Sequence, residues 1–295
     1  MSLLNPILYS TVVKFVAANG GLIPATQGRL AHAAFLDLIR AVDPLLAERL
    51  HTKNQRRPFT VSPLQGLGPA REGQIKVKSG QKVWLRFTLL GSELFTTFTR
   101  FLLPSSFNGG ASGVDIRLGD LKFAISEVLT TPGSHTWAGY TSLSELCQRW
   151  QKESLAESTY QISLELASPT VFSQSSRNDL GKRMNPFPSP AMLFGSLAAA
   201  WNEHLPVGLD KHAIRAYAEE TVAVGLYQLE SRMFRYWGQP QIGATGVITY
   251  LLKDQQNQEL GRTLNLLADF AFYSGVGYKT TMGMGQVRRV RKGES

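Results

Sequence analysis

Hydrophobic positions along the chain alternate between periods of two and of about 3.6, and that alternation lays out two similar halves. Ile7–Phe15 is rich in Val, Thr and Tyr and predicts a strand. Leu30, Ala34, Leu38 and Val42 then repeat every fourth residue, with Phe35 and Ile39 widening the stripe, so a helix is expected after an N-cap at Thr26. Its opposite arc carries Arg29, His32 and Arg40. Asp43-Pro44 stops this helix and starts a short one through Leu50. Val83–Leu89 reads as a strand, Gly91–Leu102 as a helix, and Val114–Val128 as strand broken by a Gly119-Asp120 turn.

The second half repeats the order. Thr159–Leu166 predicts a strand, Pro190–His204 and Asp210–Ala218 predict helices, and Thr221–Tyr227 and Phe234–Tyr250 predict strands with turns at Gly238 and Gly243. A helix over Leu260–Phe272 leads into a glycine-rich turn and a last strand. The expected class is therefore α+β, with two tandem ferredoxin-like βαββαβ domains built on antiparallel sheets. The boundaries place one domain at 1–130, a linker with a short polar helix at 131–157, and the second domain at 158–295. No residue-level repeat accompanies this order.

The turn, Tyr273–Val287, holds Gly275, Gly277, Gly283 and Gly285 around Lys279 and Thr280. Glycine permits close approach and positive φ, so such a turn could gather N–H groups on a phosphate. It could equally be structural. It is not a P-loop, because Tyr278 separates Gly277 from Lys279, and it lacks the third glycine of a dinucleotide fingerprint.

The 295 residues carry 31 Lys and Arg against 22 Asp and Glu, a net charge of +9, and the cations cluster. Lys53, Arg56 and Arg57 form one group, Lys182 and Arg183 a second, and Arg288, Arg289, Arg291 and Lys292 a third. Clustered cations suit a polyanion, whose counterions they release. The single cysteine, Cys147, excludes an internal disulfide and a cysteine-ligated zinc site, and reads as a small buried hydrophobe. Nothing in the sequence suggests a signal peptide or membrane span, so a cytoplasmic protein without membrane partners is expected.

Of five histidines, His204 and His212 read as surface residues and His135 sits in a Gly/Thr/Ser loop. No metal-binding spacing occurs, so neither metal nor cofactor is expected. His51 ends the short helix beside Lys53, Arg56 and Arg57. It could transfer a proton near neutral pH while the cations stabilise a charged phosphate, or it could simply interact with the helix dipole. His32, three residues from Arg29 on one helix face, is a second candidate or a solvated residue.

Taken together, these residues resemble the CRISPR-associated repeat-processing endoribonucleases of the RAMP superfamily. The resemblance rests on Gly275–Val287, on Asp43–His51 followed by Pro58–Leu64, and on Ser168–Phe172 leading through Pro186–Pro190 to Trp201-Asn202. It implies tandem ferredoxin-like domains and metal-independent cleavage of precursor CRISPR RNA by the ribose 2′-hydroxyl. It further implies that His51 stands at the catalytic histidine position of several members, with Arg57 or Lys53 in place of a lysine. Those members carry a tyrosine where this chain has Leu36, and His32, with Arg29, is the nearest substitute.

The repeat backbone is then expected against Gly275, Gly277, Lys279, Thr280, Gly283, Gly285, Arg56, Lys182, Arg183 and Arg288. Repeat RNA is the expected partner, an effector complex a further one, and the chain a monomer or homodimer. A non-cutting RAMP subunit that holds crRNA is the alternative, and a ferredoxin-like protein binding an acidic small molecule a third reading.

Overall fold

A computed structural model describes residues 5–51, 56–102, 115–152, 160–174, 183–236 and 239–290. Two compact units divide the chain. One contains Ile7–Tyr140 together with Thr281–Gly283, and the other contains Met1–Pro6, Thr141–Thr280 and Met284–Ser295.

The first unit runs β1 (Ile7–Ala17), β2 (Gly21–Pro24), α1 (Gly28–Val42), α2 (Pro44–His51), β3 (Phe59–Val61), β4 (Gln74–Val77) and β5 (Lys82–Leu90). It continues through α3 (Ser92–Leu102), β6 (Asp115–Leu118), β7 (Leu121–Leu129) and the start of β8 (Gly139–Ser142). The main sheet has the order β3-β5-β1-β7-β6, antiparallel at each of these pairings. Removing the added β6 edge leaves the second, third, first and fourth strands of a ferredoxin-like unit in that order. α1 and α3 bury Phe35 and Phe98 against Phe59 and Phe87 of the sheet, with Phe35 and Phe59 4.3 Å apart at their centroids.

Two local expectations about α1 are corrected. It begins at Gly28 with Gln27 at the cap position and no side-chain cap bond, so Thr26 is not its N-cap. His32 does not face solvent with Arg29 but is buried, while Arg29 is exposed. Asp43 does start α2, its Oδ1 accepting from the Leu46 N–H at 2.9 Å ahead of proline in the first turn.

The second unit contains α4 (Leu143–Lys152), which lies inside the segment expected to be a linker. It continues with β9 (Gln161–Thr170), β10 (Phe172–Gln174), β11 (Arg183–Asn185), α5 (Pro190–His204), α6 (Lys211–Thr221), β12 (Val222–Tyr236), β13 (Gln239–Leu252), α7 (Gln258–Ser274) and β14 (Val287–Arg289). Its sheet order, β12-β13-β9-β14, reproduces the arrangement of the first unit. Asp210 caps α6 through the N–H groups of His212 and Ala213, and Asn257 caps α7 through Leu260. The turn expected at Gly243 is absent: Gly243 lies within β13 opposite Arg232. Gly238 lies outside the described residues.

Trp201 of α5 is buried edge-on against Phe270 of α7, which fixes the helical layer over the sheet. α4 is held to α7 by the Trp150 indole N–H, which donates to Asp269 at 2.9 Å. Among the described residues no helix is long and apolar enough to cross a membrane.

Candidate RNA-cleavage site

α2 buries Leu46, Ala47 and Leu50 and leaves His51 exposed at its C-terminal end. Arg57 turns back on that end: its Nε donates to the Leu50 carbonyl at 2.6 Å, and its Nη2 lies 3.5 Å from the His51 carbonyl. The guanidinium thus caps helix carbonyls, which the chain needs because the last carbonyls of a helix lack intrahelical donors. The expectation that Arg57 lies beside the imidazole is modified accordingly.

His51 instead lines an open pocket of about 290 Å³ with Arg40, Pro44, Ala47 and Glu48. Arg40 arrives from the polar arc of α1, where its Nη1 also holds Asp37 at 2.6 Å. Glu48 precedes His51 by three residues and so shares its helix face. Sequence reasoning passed over Glu48 although this spacing was visible, and placed Arg40 on the right arc without joining it to His51. Lys53 lies outside the described residues.

His32 occupies a different environment. Its Nδ1 is 3.0 Å from the Thr281 carbonyl oxygen, and its ring stacks 5.7 Å from Phe59. A carbonyl can only accept, so Nδ1 carries the proton and Nε2 the lone pair in the neutral ring. One turn before it on the helix, Gly28 packs against the Met282 carbonyl so closely that a side chain would overlap it. Residues 281–283 of the glycine-rich turn therefore dock on the start of α1, within the first unit.

The rest of the turn closes on protein. Gly275 donates to Ala271, Val276 to Gly285, Gly277 to Ser196 Oγ, Tyr278 to Val171, Gly285 to Pro169 and Gln286 to Ser168 Oγ, at 2.8–3.2 Å. Those N–H groups are engaged within the second unit. The expected convergence of the turn's amides on a phosphate is corrected at these positions, because the turn's own packing takes them. Gly285 is required for this: at φ 65° its missing side chain admits the Val276 carbonyl. Gly283 is buried, and Thr280 is half-buried at the start of a 3₁₀ turn, Thr280–Met282.

Lys279 stands apart, a non-glycine residue at φ 62° with its ammonium 5.0 Å from the centroid of the Tyr278 ring. Arg288 on β14 is ion-paired to Glu165, its register partner on β9. Arg56 and Arg183 are exposed. Lys182 lies outside the described residues. Among the described residues no group of three or more His, Cys, Asp or Glu could hold a metal ion.

Both halves share one strand order, and an exposed histidine ends the second helix of the first half. These features define a tandem ferredoxin-like α+β protein with a polar site on its N-terminal unit. Comparison with known proteins specifies it further. The model of the Cas6 N-terminal domain matches residues 7–148, and that of the CRISPR-associated endoribonuclease Cas6 matches residues 164–287. The chain belongs to the Cas6 family of CRISPR-associated endoribonucleases.

Among solved structures, a product complex of Cas6 (TTHB231) is 30% identical over 96% of this chain and 100% of that one, with a TM-score of 0.78. Thermus thermophilus Cas6 (TTHB231) is 28% identical over 97% and 99%, at 0.69. A product complex of Cas6 (TTHA0078) is 25% identical over 97% and 100%, at 0.71. The search of curated proteins found no match.

Proposed function

We propose that this Cas6 endoribonuclease cleaves precursor CRISPR RNA within its repeats by a metal-independent transesterification centred on His51. The ribose 2′-oxygen attacks the adjacent phosphorus and the P–O5′ bond breaks, leaving a 2′,3′-cyclic phosphate and a 5′-hydroxyl. A proton leaves the 2′-hydroxyl and another reaches the 5′-oxygen, and an imidazole, which can both accept and donate a proton, suits either transfer. The observation that carries this reading is the exposure of His51 at a pocket with Arg40 and Glu48. Arg40 supplies positive charge for the phosphate, and Glu48 orients the ring.

In this reading His32, with its Nδ1 on Thr281, holds residues 281–283 in the first unit, and within the second unit the turn's glycines scaffold Lys279 and Thr280 for the RNA backbone. Arg56 on the first unit and Arg183 on the second are each exposed cations available to an RNA backbone. The test is incubation of end-labelled repeat RNA with the protein in EDTA, followed by analysis of product ends. Cyclic phosphate and 5′-hydroxyl ends support the reading. Cleavage only on addition of a divalent ion sinks it, and tight binding without cleavage turns the chain into a crRNA-holding subunit.

A further inference from the structure

The body of α2 is anchored by Leu46, Ala47 and Leu50, all buried, whereas its last residue, His51, is exposed. Where the imidazole stands therefore depends on the backbone at Leu50 and His51. That backbone ends a helix, where the final carbonyls lack intrahelical donors and the last turn frays. The residues that follow in sequence, Thr52-Lys53-Asn54-Gln55, include no glycine of the kind that commonly closes a helix.

The donor comes from Arg57. Its Nε donates to the Leu50 carbonyl at 2.6 Å, and its Nη2 is directed at the His51 carbonyl at 3.5 Å. Arg57 is itself set on the sheet. The next residue, Pro58, accepts the Leu90 N–H at 2.8 Å, and Phe59, fully buried in β3, is the register partner of Leu89 in β5. The planar fork spans two successive carbonyls, which a lysine ammonium cannot match. Its charge also suits the negative end of the helix. The other tie near this end, Arg49 to Glu93, joins two exposed side chains and holds little.

We propose that Arg57 is a positioning residue for His51: it fixes the end of α2 to the sheet of the first unit and so places the imidazole, without contacting the scissile phosphate. This rests on the reading of His51 as the group that transfers the proton. The two N–H groups turned onto backbone carbonyls are not aimed at RNA, so loss of Arg57 acts on rate and not on binding. A reacting group displaced by about 1 Å loses on the order of 10²-fold in rate.

Single-turnover cleavage of end-labelled repeat RNA in EDTA, with filter binding over a salt series, tests this. The variants are Arg57→Ala, Arg57→Lys, His51→Ala and the double variant H51A/R57A. Arg57→Ala should slow cleavage by about 10–100-fold, with affinity within about twofold and an unchanged salt slope. Arg57→Lys keeps the charge but not the fork, and should recover only part of the rate. In the His51→Ala background, removing Arg57 should cost less than about twofold, because a residue that acts through the imidazole has nothing left to position. Should Arg57→Ala fail to fold by circular dichroism, the same cycle is read with Arg57→Lys. An equal loss in both backgrounds overturns the proposal, as does weaker binding with a salt slope lower by about one ion; either result places Arg57 on the RNA. Full activity of Arg57→Ala, or full rescue by lysine, overturns it too. Parental cleavage by His51→Ala alone sinks the reading of His51 itself, and this proposal with it, whatever the Arg57 variants do.

Discussion

Gly28 and Met282 are in backbone contact: a side chain at Gly28 would occupy the space of the Met282 carbonyl oxygen. The first turn of α1 can therefore seat the glycine-rich turn only while position 28 lacks a Cβ. Gly28→Ala should lower stability by about 1–3 kcal/mol, the cost of overpacking, despite the better helix propensity of alanine. Calorimetry checks this, and a variant as stable as the parent would show that the contact relaxes without cost.

His51→Ala should reduce single-turnover cleavage in EDTA by about 10²–10⁴-fold, the usual range for losing a general acid or base. Repeat-RNA affinity, measured by filter binding, should stay within about twofold, since an exposed imidazole adds little electrostatic binding. Unchanged cleavage removes His51 from the chemistry.

His32→Ala should behave differently. It leaves the Thr281 carbonyl without its buried donor, which costs about 1–3 kcal/mol in thermal or denaturant unfolding. Any loss of cleavage should come with weakened RNA binding and be partly recovered by His32→Gln, whose amide can still donate. Cleavage lost at full stability and full affinity would return His32 to the reaction itself.

Lys279 combines a charge with a left-handed backbone, so two substitutions separate the effects. Lys279→Gly and Lys279→Ala should weaken repeat binding equally and reduce the salt slope by about one ion. Only glycine relieves the backbone, so the glycine variant should be the more stable by about 1 kcal/mol. Equal melting temperatures for the two would contradict the assignment of strain at this residue.

His135 offers a pH test remote from the chemistry. Burial, then the charges of Lys14 and Arg86, hold its imidazole below the ordinary value of 6.5. Its neutral Nδ1 accepts the Trp137 N–H at 3.0 Å. The unfolded chain binds a proton first as pH falls, so this contribution is complete above about pH 6.5 and is lost below it. Unfolding curves at pH 7.5 and 5.5 should therefore differ less for His135→Gln than for the parent. Identical differences would show that the proton linkage lies elsewhere.

Elements with a strong local pattern were legible from sequence. Asp210 caps α6 as an aspartate before a helix should, and the Gly119-Asp120 turn joins β6 to β7. Positions decided by distant packing were not. His32 belongs to a polar arc by periodicity, yet it is buried against a segment 249 residues away. Gly243 signals a turn, but in β13 it lies against Pro169 and Thr170, where a side chain would crowd them. Cys147, read as a buried hydrophobe, is only part-buried, although burial still raises its thiol pKa. The site divides the same way: His51 was marked by its place at the end of α2, whereas the turning of Arg57 onto helix carbonyls depends on side-chain direction that no spacing reveals.

Because Thr281–Gly283 belongs to the unit formed by Ile7–Tyr140, the N-terminal half is not finished when its own last residue leaves the ribosome. Some 140 further residues must be translated before Thr281 can accept from His32, so this part of the first unit can be completed only late in synthesis. Nascent chains released early would carry His51 and the seat on α1 but lack the residues, 281–283, that dock on it.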